Sequence, residues 1–211
     1  QKLGFELTDV VDVDEEELIR TVDKIDSDPK FHGIIVQRPI PESFSREKVI
    51  NAISSQKDID GFMDDSKFEV PVWLAVRRLI GESLNELKVE KTWQDLSFVV
   101  MGKGETAGGP IIRGLKNIGI EPKVIDSRTE ERNEILKNAD VIISCVGKQN
   151  IVRAEQIKKG AILIGVGTHG EDTGLRGDYN EQEVEKIAGT YTPTPGGVGP
   201  LNLAYLFQNL T

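Results

Sequence analysis

Residues 98–110 read Phe-Val-Val-Met-Gly-Lys-Gly-Glu-Thr-Ala-Gly-Gly-Pro, and this stretch decides the predicted fold. The apolar run Phe98–Met101 is typical of a buried strand and passes directly into a glycine-rich loop, after which a helix is predicted. In a loop that binds a pyrophosphate, Gly102 permits the tight turn, Gly104 has no Cβ to block the phosphate, and Gly108 lets the helix pack closely. The spacing is GxGxxxG and not GxGxxG, so a turn that needs glycine only for its geometry stays an alternative.

Apolar runs and helical patterns alternate beyond this loop. The predicted strands are Phe98–Met101, Lys123–Ile125, 141–146 and 161–166. The predicted helices are 73–84, 107–117, 129–138 and 201–210. Strands that alternate with helices of about ten residues indicate βαβ crossovers and a parallel sheet. We therefore predict an α/β protein whose second domain is a Rossmann-like, doubly wound parallel sheet.

The N-terminal part of the chain predicts a smaller α/β unit. Its predicted elements are a helix over 15–25 with Asp14 as N-cap, a buried strand over 33–36, and a helix over 45–53 with Ser45 as N-cap. The predicted organisation is a partial first domain (1–70), a linking helix and connector (71–94), the dinucleotide-binding domain (95–192), and a loop with a C-terminal helix returning to the first domain (193–211). Because the chain opens in mid-pattern at Gln1, a segment is expected upstream.

Composition excludes several classes of function. The 211 residues include 26 basic and 35 acidic side chains, a net charge of −9, so a nucleic-acid partner is not expected. One cysteine, Cys145, excludes an internal disulfide, and two histidines leave little material for a metal site, so no metal is expected. No apolar run approaches the roughly 18 residues of a membrane span. We expect a cytoplasmic protein with no membrane partner.

The second predicted strand ends at Asp-Ser-Arg-Thr (126–129), where dinucleotide-binding domains recognise the adenine ribose. A carboxylate at Asp126 favours NAD, whereas Lys103, Ser127, Arg128 and Thr129 favour the 2′-phosphate of NADP. A cap at the strand end is an equal alternative for Asp126. The residues lean towards NADP and leave NAD open.

The third and fourth predicted strands also end at glycines. Gly147 follows the third strand, and Gly167 with Thr168 follows the fourth. In a doubly wound sheet, ligands lie beyond the carboxyl ends of the strands, so these three residues are candidate cofactor contacts. An ordinary turn glycine is the alternative for both positions.

Five segments occur in an order that resembles one family. They are GIIVQRPIP (33–41), similar to GILVQLPLP; KDIDGF (57–62), similar to KDVDGF; residues 102–110, similar to GRSxxVGxP; residues 161–167, similar to AxVIDVG; and YTPTPGGVGP (191–200), similar to ITPVPGGVGP. The family is the bifunctional methylenetetrahydrofolate dehydrogenase/methenyltetrahydrofolate cyclohydrolase, the FolD type. The resemblance runs from about residue 3 to the C-terminus.

The resemblance implies a reaction and an assembly. A nicotinamide cofactor oxidises 5,10-methylenetetrahydrofolate to the methenyl cation, which water opens to 10-formyltetrahydrofolate. Two domains joined by long helices hold the folate in a cleft, and the protein is a homodimer. The resemblance also implies that Asp60 holds the pterin and that Gln37 lies beside the catalytic lysine. From the residues alone, Asp60 could cap the turn at Gly61, Asp58 could be a cap or a surface charge, and Gln37 could be an ordinary amide.

The last segment of the resemblance implies a loop that lines the folate cleft near the nicotinamide. The loop is Pro195 to Pro200, and Pro195, Gly196 and Gly197 are its expected substrate contacts. A rigid connector between domains is the alternative, and both roles are compatible.

The chain also departs from the family. The family's catalytic lysine, in a YxxxK segment, falls upstream of Gln1, and no lysine of this sequence matches it. The usual arginine after the first loop glycine is Lys103, the family's PCTP segment is replaced at 70–73, and the aspartate of the fourth strand is Gly165. Without the upstream lysine, the alternatives are a dehydrogenase that lacks cyclohydrolase activity or a non-catalytic folate- or dinucleotide-binding relative.

Overall fold

The computed structural model describes residues 13–63, 65–171 and 174–211. The chain divides into two compact units, and the boundary falls between Glu69 and Val70. Leu210 is grouped with the first unit, whereas the helix that precedes it belongs to the second. Residues 1–12 of the predicted first domain lie outside the described residues.

Two helices and their connecting loops form the described part of the first unit. The helices are α1 (Glu15–Ser27) and α2 (Arg46–Asn51). Asp14 and Ser45 cap them through side-chain oxygens, as the sequence predicts. The buried core of this unit joins Val22 of α1 to Ile34 and Ile53.

The predicted strand over 33–36 is wrong. The only pairing described there is one parallel bridge between Ile34 and Asp58. Ile34 is buried and Ile35 is 41% exposed, so the segment alternates instead of being buried on both faces. An apolar run of four residues does not reveal whether a partner strand lies beside it.

A five-stranded parallel sheet forms the centre of the second unit. Its strands are β1 (Phe98–Met101), β2 (Lys123–Ile125), β3 (Val141–Ser144), β4 (Ile162–Gly165) and, after a separate hairpin, β7 (Thr190–Tyr191). Their order is β2-β1-β3-β4-β7, and all neighbours are parallel. This confirms the α/β class and the doubly wound sheet. The strand order reverses at β1, which places the topological switch point between β1 and β3.

The three central strands, β1, β3 and β4, are buried on both faces, as is usual in a parallel sheet. Alternate residues of β1, β3 and β4 enter two different cores. One core contains Val100, Ile143 and Ile164; the other contains Val99, Ile142 and Leu163. The near-continuous apolar runs that predicted these strands follow from this double burial.

Helices cover the sheet, and the two largest shifts from the predicted bounds are at the starts of α5 and α7. The helices are α3 (Pro71–Glu86), α4 (Gly108–Asn117), α5 (Arg132–Lys137), α6 (Glu181–Val184) and α7 (Val198–Gln208). Helix α5 was predicted to start at Thr129 and starts at Arg132. Thr129 belongs to the turn after β2, where its Oγ1 accepts the Asp126 N–H at 3.0 Å. Helix α7 starts three residues earlier, since Pro200 needs no N–H partner in a first turn.

The sequence did not predict an antiparallel hairpin of β5 (Thr168–Glu171) and β6 (Gly174–Gly177). These strands contain three glycines and lack the β-branched alternation that marks a strand. Within the described ranges, no helix is both long and apolar enough to cross a bilayer.

Candidate functional site

Asp60, the predicted pterin anchor in the first unit, faces a cation. Its Oδ2 atom accepts a hydrogen bond from Nη2 of Arg38, and the two side chains are 23% and 10% exposed, respectively. The Arg38 guanidinium also lies over the Phe62 ring, with Cζ 3.1 Å from the ring centroid. Arg38 is therefore held by an anion and an aromatic face, two partners that a guanidinium favours.

The environment of Asp60 acts on its ionisation in opposite directions. Burial raises the pKa of Asp60 above its usual value, Arg38 lowers it, and the neighbouring Asp58 raises it. A carboxylate with one cationic partner can exchange that partner for the N–H groups of a ligand, because both supply donors. The site offers an anionic acceptor to any ligand that displaces Arg38.

The loop over residues 58–63 is capped by Asp58 and not by Asp60. Its Oδ2 atom accepts the Met63 N–H at 2.8 Å, and its carbonyl oxygen accepts the Gly61 N–H at 3.0 Å. Asp58 is 2% exposed, so it is a buried cap and not a surface charge. Gln37 is exposed, and its Nε2 donates to the Arg38 carbonyl oxygen at 3.0 Å.

The glycine loop of the second unit shows the tight turn predicted at Gly102 and the close helix packing predicted at Gly108. Gly102 has φ +84°, and a Cβ there would lie 2.8 Å from the Cys145 carbonyl oxygen. A Cβ on Gly108 would collide with the Gly102 carbonyl oxygen, so α4 packs against the loop only with glycine there. A Cβ on Gly104 would meet nothing within 4 Å. The loop is closed where it packs and open at Gly104, where a phosphate would approach.

At the end of β2, Asp126 caps the strand end, one of the two roles that the sequence left open, and also pairs with a cation. One carboxylate oxygen accepts the Arg128 N–H at 2.9 Å, which caps the strand end, and the other pairs with Lys103 Nζ at 2.9 Å. The bond from Lys103 is the main cause that lowers the pKa of Asp126. Ser127 and Arg128 are exposed beside this pair. Lys103 therefore offsets the charge that would repel a 2′-phosphate.

The turns after β3 and β4 lie against one another at the carboxyl edge of the sheet. Gly147 has φ +72°, and a Cβ there would lie 3.0 Å from the carbonyl oxygen of Thr168. A Cβ on Gly167 would collide with the Gly147 backbone nitrogen. Cys145 precedes this turn and packs against the core, and burial raises the pKa of its thiol.

Sequence reasoning missed Asp178, which joins these two turns. Its carboxylate is fully buried and accepts hydrogen bonds from Ser144 Oγ at 2.6 Å, from the Val146 N–H at 3.0 Å and from the Lys148 N–H at 2.9 Å. A lone acid in a glycine-rich segment carries no periodic signal. Only the hairpin, which returns the chain to the sheet, reveals its partners.

Gly165, where the family resemblance has an aspartate, leaves room for a tyrosine. A Cβ at Gly165 would lie 2.8 Å from Oη of Tyr179. That hydroxyl donates to the Thr192 carbonyl oxygen at 2.6 Å, and Thr192 Oγ1 accepts the Gly165 N–H at 2.8 Å. The Tyr179 hydroxyl thus occupies the space beside β4 that a larger residue would need.

The predicted cleft loop is shorter than the sequence suggested. Pro195 and Gly196 are exposed, and the Gly197 N–H donates to the Pro193 carbonyl oxygen at 2.9 Å. The remaining part of the similar segment, 198–200, forms the first turn of α7. The described part of the chain holds no cluster of three or more His, Cys, Asp or Glu side chains placed to bind a metal.

Comparison with known families gives two adjoining matches. Residues 80–211 match the model of the tetrahydrofolate dehydrogenase/cyclohydrolase NAD(P)-binding domain. Residues 1–60 match the catalytic domain of the same proteins. The chain belongs to the tetrahydrofolate dehydrogenase/cyclohydrolase family. This confirms the family that the five sequence segments resemble.

Individual members of the family agree with this assignment. The bifunctional protein FolD of Staphylococcus haemolyticus is 31% identical over 223 residues, which span 99% of this chain and 76% of that protein. The crystal structure of the bifunctional FolD enzyme from Campylobacter jejuni superposes with a TM-score of 0.83 at 29% identity, covering 94% of this chain and 72% of that one. The FolD of Trypanosoma brucei, solved with NADP cofactor and inhibitor, gives a TM-score of 0.80 at 29% identity, with coverage of 94% and 72%.

Proposed function

We propose that the protein oxidises 5,10-methylenetetrahydrofolate with NADP and hydrolyses the methenyl product to 10-formyltetrahydrofolate. Membership of the family supports both activities, and the Staphylococcus haemolyticus relative is named a bifunctional protein. The Trypanosoma brucei relative, with which this chain shares its fold, binds NADP. The observation that carries the proposal is the glycine loop at the switch point of the sheet, since it supplies the dinucleotide site that the oxidation requires.

The residues present fit a dinucleotide. The open space at Gly104 leaves room for the pyrophosphate, and the ten-residue helix α4 begins at Gly108 behind the loop. Backbone N–H groups at such a helix start favour an anion. Gly147 and Gly167 let the turns after β3 and β4 pack closely at the carboxyl edge of the sheet. When bound, the cofactor supplies the hydride acceptor.

The proposed choice of NADP rests on the end of β2. Lys103 already pairs with Asp126, so a 2′-phosphate would meet a neutralised carboxylate and not a free anion. Ser127 and Arg128 add a hydroxyl and a second cation beside it. NAD would need its ribose hydroxyls to compete with Lys103 for the same carboxylate.

Folate binding is proposed for the first unit, at Asp60. An ionised Asp60 accepts two N–H bonds from the aminopyrimidinone edge of the pterin, as it accepts the Arg38 guanidinium now. Gln37 lies next to Arg38 in the chain and is exposed to a ligand. In the hydrolysis, water adds to the methenyl carbon, a proton is lost, and the ring opens to the formyl group. Pro195, Gly196 and Gly197 are also proposed as substrate contacts, as the family resemblance implies.

The proposal is tested by following both reactions on the whole chain. Absorbance reports methenyltetrahydrofolate as it forms with NADP or with NAD, and its loss without any dinucleotide reports hydrolysis. We expect both activities and a higher kcat/KM with NADP. Formation without hydrolysis would contradict the bifunctional proposal, and a preference for NAD would contradict the cofactor choice.

Two further proposals concern the protein as a whole. The family resemblance supports a homodimer, and the acidic composition supports a cytoplasmic location. Light scattering at micromolar concentration should give twice the mass of 23.3 kDa. A mass equal to one chain would contradict the dimer.

A further inference from the structure

The carboxylate of Asp178 is fully buried and accepts three hydrogen bonds. Two of its three donors are backbone N–H groups of one turn, those of Val146 and Lys148. The third is the hydroxyl of Ser144, the last residue of β3. Transferring a charged group from water is costly unless hydrogen bonds replace the water, so these three donors bind the turn tightly to the carboxylate.

The main chain of Asp178 holds the other end of the same segment. Its carbonyl oxygen accepts the Val152 N–H at 3.2 Å, and an isolated parallel bridge pairs Val152 with Tyr179. Residues 146–152 are therefore fixed at their start by the side chain of Asp178 and at their end by its backbone. The exposed part of this segment, 148–150, lies between the two attachments.

The turn after β4 packs on the same carboxylate. A Cβ on Gly167 would collide with Oδ2 of Asp178 and with the backbone nitrogens of the turn after β3. Asp178 therefore sets the spacing between the two glycine turns at the carboxyl edge of the sheet. In a doubly wound sheet this edge receives the ligand.

We propose that Asp178 is a positioning residue for the dinucleotide, which fixes Gly147 and Gly167 at the spacing that admits the cofactor. This rests on the proposed dinucleotide site and adds a residue that the sequence did not suggest. Asp178 is buried under the turns and acts through them. Moving a turn by about 1 Å is enough to reduce binding or rate strongly.

Asp178→Asn tests this because the amide has only one acceptor oxygen. Whichever way the amide turns, its NH₂ group faces the N–H of Val146 or of Lys148, so one of the two loses its acceptor. Tyr179→Phe is the matched control, since it removes a buried hydrogen bond at the adjacent residue without touching this turn. Each variant is titrated with NADP and NAD, and its thermal midpoint and the hydrogen exchange of its backbone amides are measured.

We expect Asp178→Asn to weaken dinucleotide binding at least about tenfold, with faster exchange at Val146 or Lys148. Tyr179→Phe should lower the thermal midpoint and leave dinucleotide affinity unchanged. If Asp178→Asn does not fold, Asp178→Ser replaces it, because its hydroxyl can accept one of the two N–H groups. A folded Asp178 variant with wild-type affinity, or an equal loss in Tyr179→Phe, would overturn the inference. A wild-type chain that binds neither dinucleotide would contradict the proposed function and this inference with it.

Discussion

The two units each contain a buried or half-buried carboxylate in a loop, and the two are satisfied in different ways. Asp60 in the first unit pairs with one cation, the Arg38 guanidinium. Asp178 in the second unit is fully buried and receives three neutral donors, two of them from the backbone. A cation on a flexible side chain can leave, whereas backbone donors leave only if the turn itself moves.

This difference separates binding from positioning. Asp60 has a partner that a ligand rich in N–H groups can replace, so it suits direct contact with substrate. Asp178 has no carboxylate oxygen exposed to solvent. It is therefore suited to supporting the turn after β3, which would contact the dinucleotide. Substitutions that change one carboxylate or its partners should therefore affect one ligand and spare the other.

The largest effect is expected at Asp60. Asp60→Asn keeps the shape but replaces an acceptor with a donor, and truncating one member of a buried charged pair costs about 2–5 kcal/mol. Folate affinity should fall by a factor on the order of 10² or more, measured by titration with tetrahydrofolate. Asp65→Asn, an exposed carboxylate of the same loop, is the control and should bind normally. A similar loss of folate affinity in both variants would contradict the role of Asp60 as the pterin anchor.

A large loss of dinucleotide binding is expected from Gly104→Val. A Cβ at this position meets no protein atom within 4 Å, so the fold should persist while the branched side chain excludes the pyrophosphate. The expected loss is about tenfold to hundredfold. Gly170→Val, in equally open surroundings on the hairpin, serves as the control. Unchanged dinucleotide affinity in Gly104→Val would mean that the loop is only a turn.

Arg38→Leu should change the pH dependence of folate binding. Arg38 lowers the pKa of Asp60 against the effect of burial, so its removal raises that pKa further. As the pH is lowered, Asp60 then takes up a proton earlier, and folate affinity should begin to fall at a higher pH than in the wild type. At alkaline pH, affinity should rise several-fold because the competing cation is gone. Arg38→Lys keeps the positive charge, so its pH profile should resemble that of the wild type. If the pH profiles of Arg38→Leu and the wild type superimpose, the ion pair between Arg38 and Asp60 does not determine folate binding.

The smallest effect is expected at Lys103, which is 66% exposed. Lys103→Ala removes a cation and releases the Asp126 carboxylate towards the 2′-phosphate. Because exposed pairs contribute about 0–1 kcal/mol, kcat/KM with NADP should fall about fivefold or less, and the value with NAD should hardly change. Lys116→Ala, which breaks an exposed pair between Lys116 of α4 and Glu121 beyond the end of that helix, is the control. If the wild type already prefers NAD, and Lys103→Ala leaves the ratio of kcat/KM with NADP to kcat/KM with NAD unchanged, then Asp126 governs the choice of cofactor.

The sequence predicted the parts of the fold that depend on local pattern. The run Phe98–Met101 followed by Gly102 identified a strand and its turn, because burial on both faces and a positive φ each leave a mark on a few adjacent residues. The same reasoning failed for 33–36, where an equally apolar run has only one bridge. Strand pairing depends on a partner elsewhere in the chain, which a run of four residues does not reveal.

The site shows the same limit. Asp60 was identified through the similar KDVDGF segment. Its pairing with Arg38, which lies 22 residues earlier, was not predicted, because no spacing rule connects the two residues. Asp178 lies 34 residues after Ser144 and follows a glycine-rich hairpin that the sequence did not predict. Residues that act through long-range hydrogen bonds are visible only once the topology is known.

The central claim, that each carboxylate serves one ligand, is tested most directly by titrating both ligands against both variants. Tetrahydrofolate and NADP are each titrated into Asp60→Asn and Asp178→Asn of the whole chain. The account predicts that Asp60→Asn loses folate affinity and keeps NADP affinity, and that Asp178→Asn does the reverse. Loss of both ligands in either variant, in protein that remains folded, would contradict it.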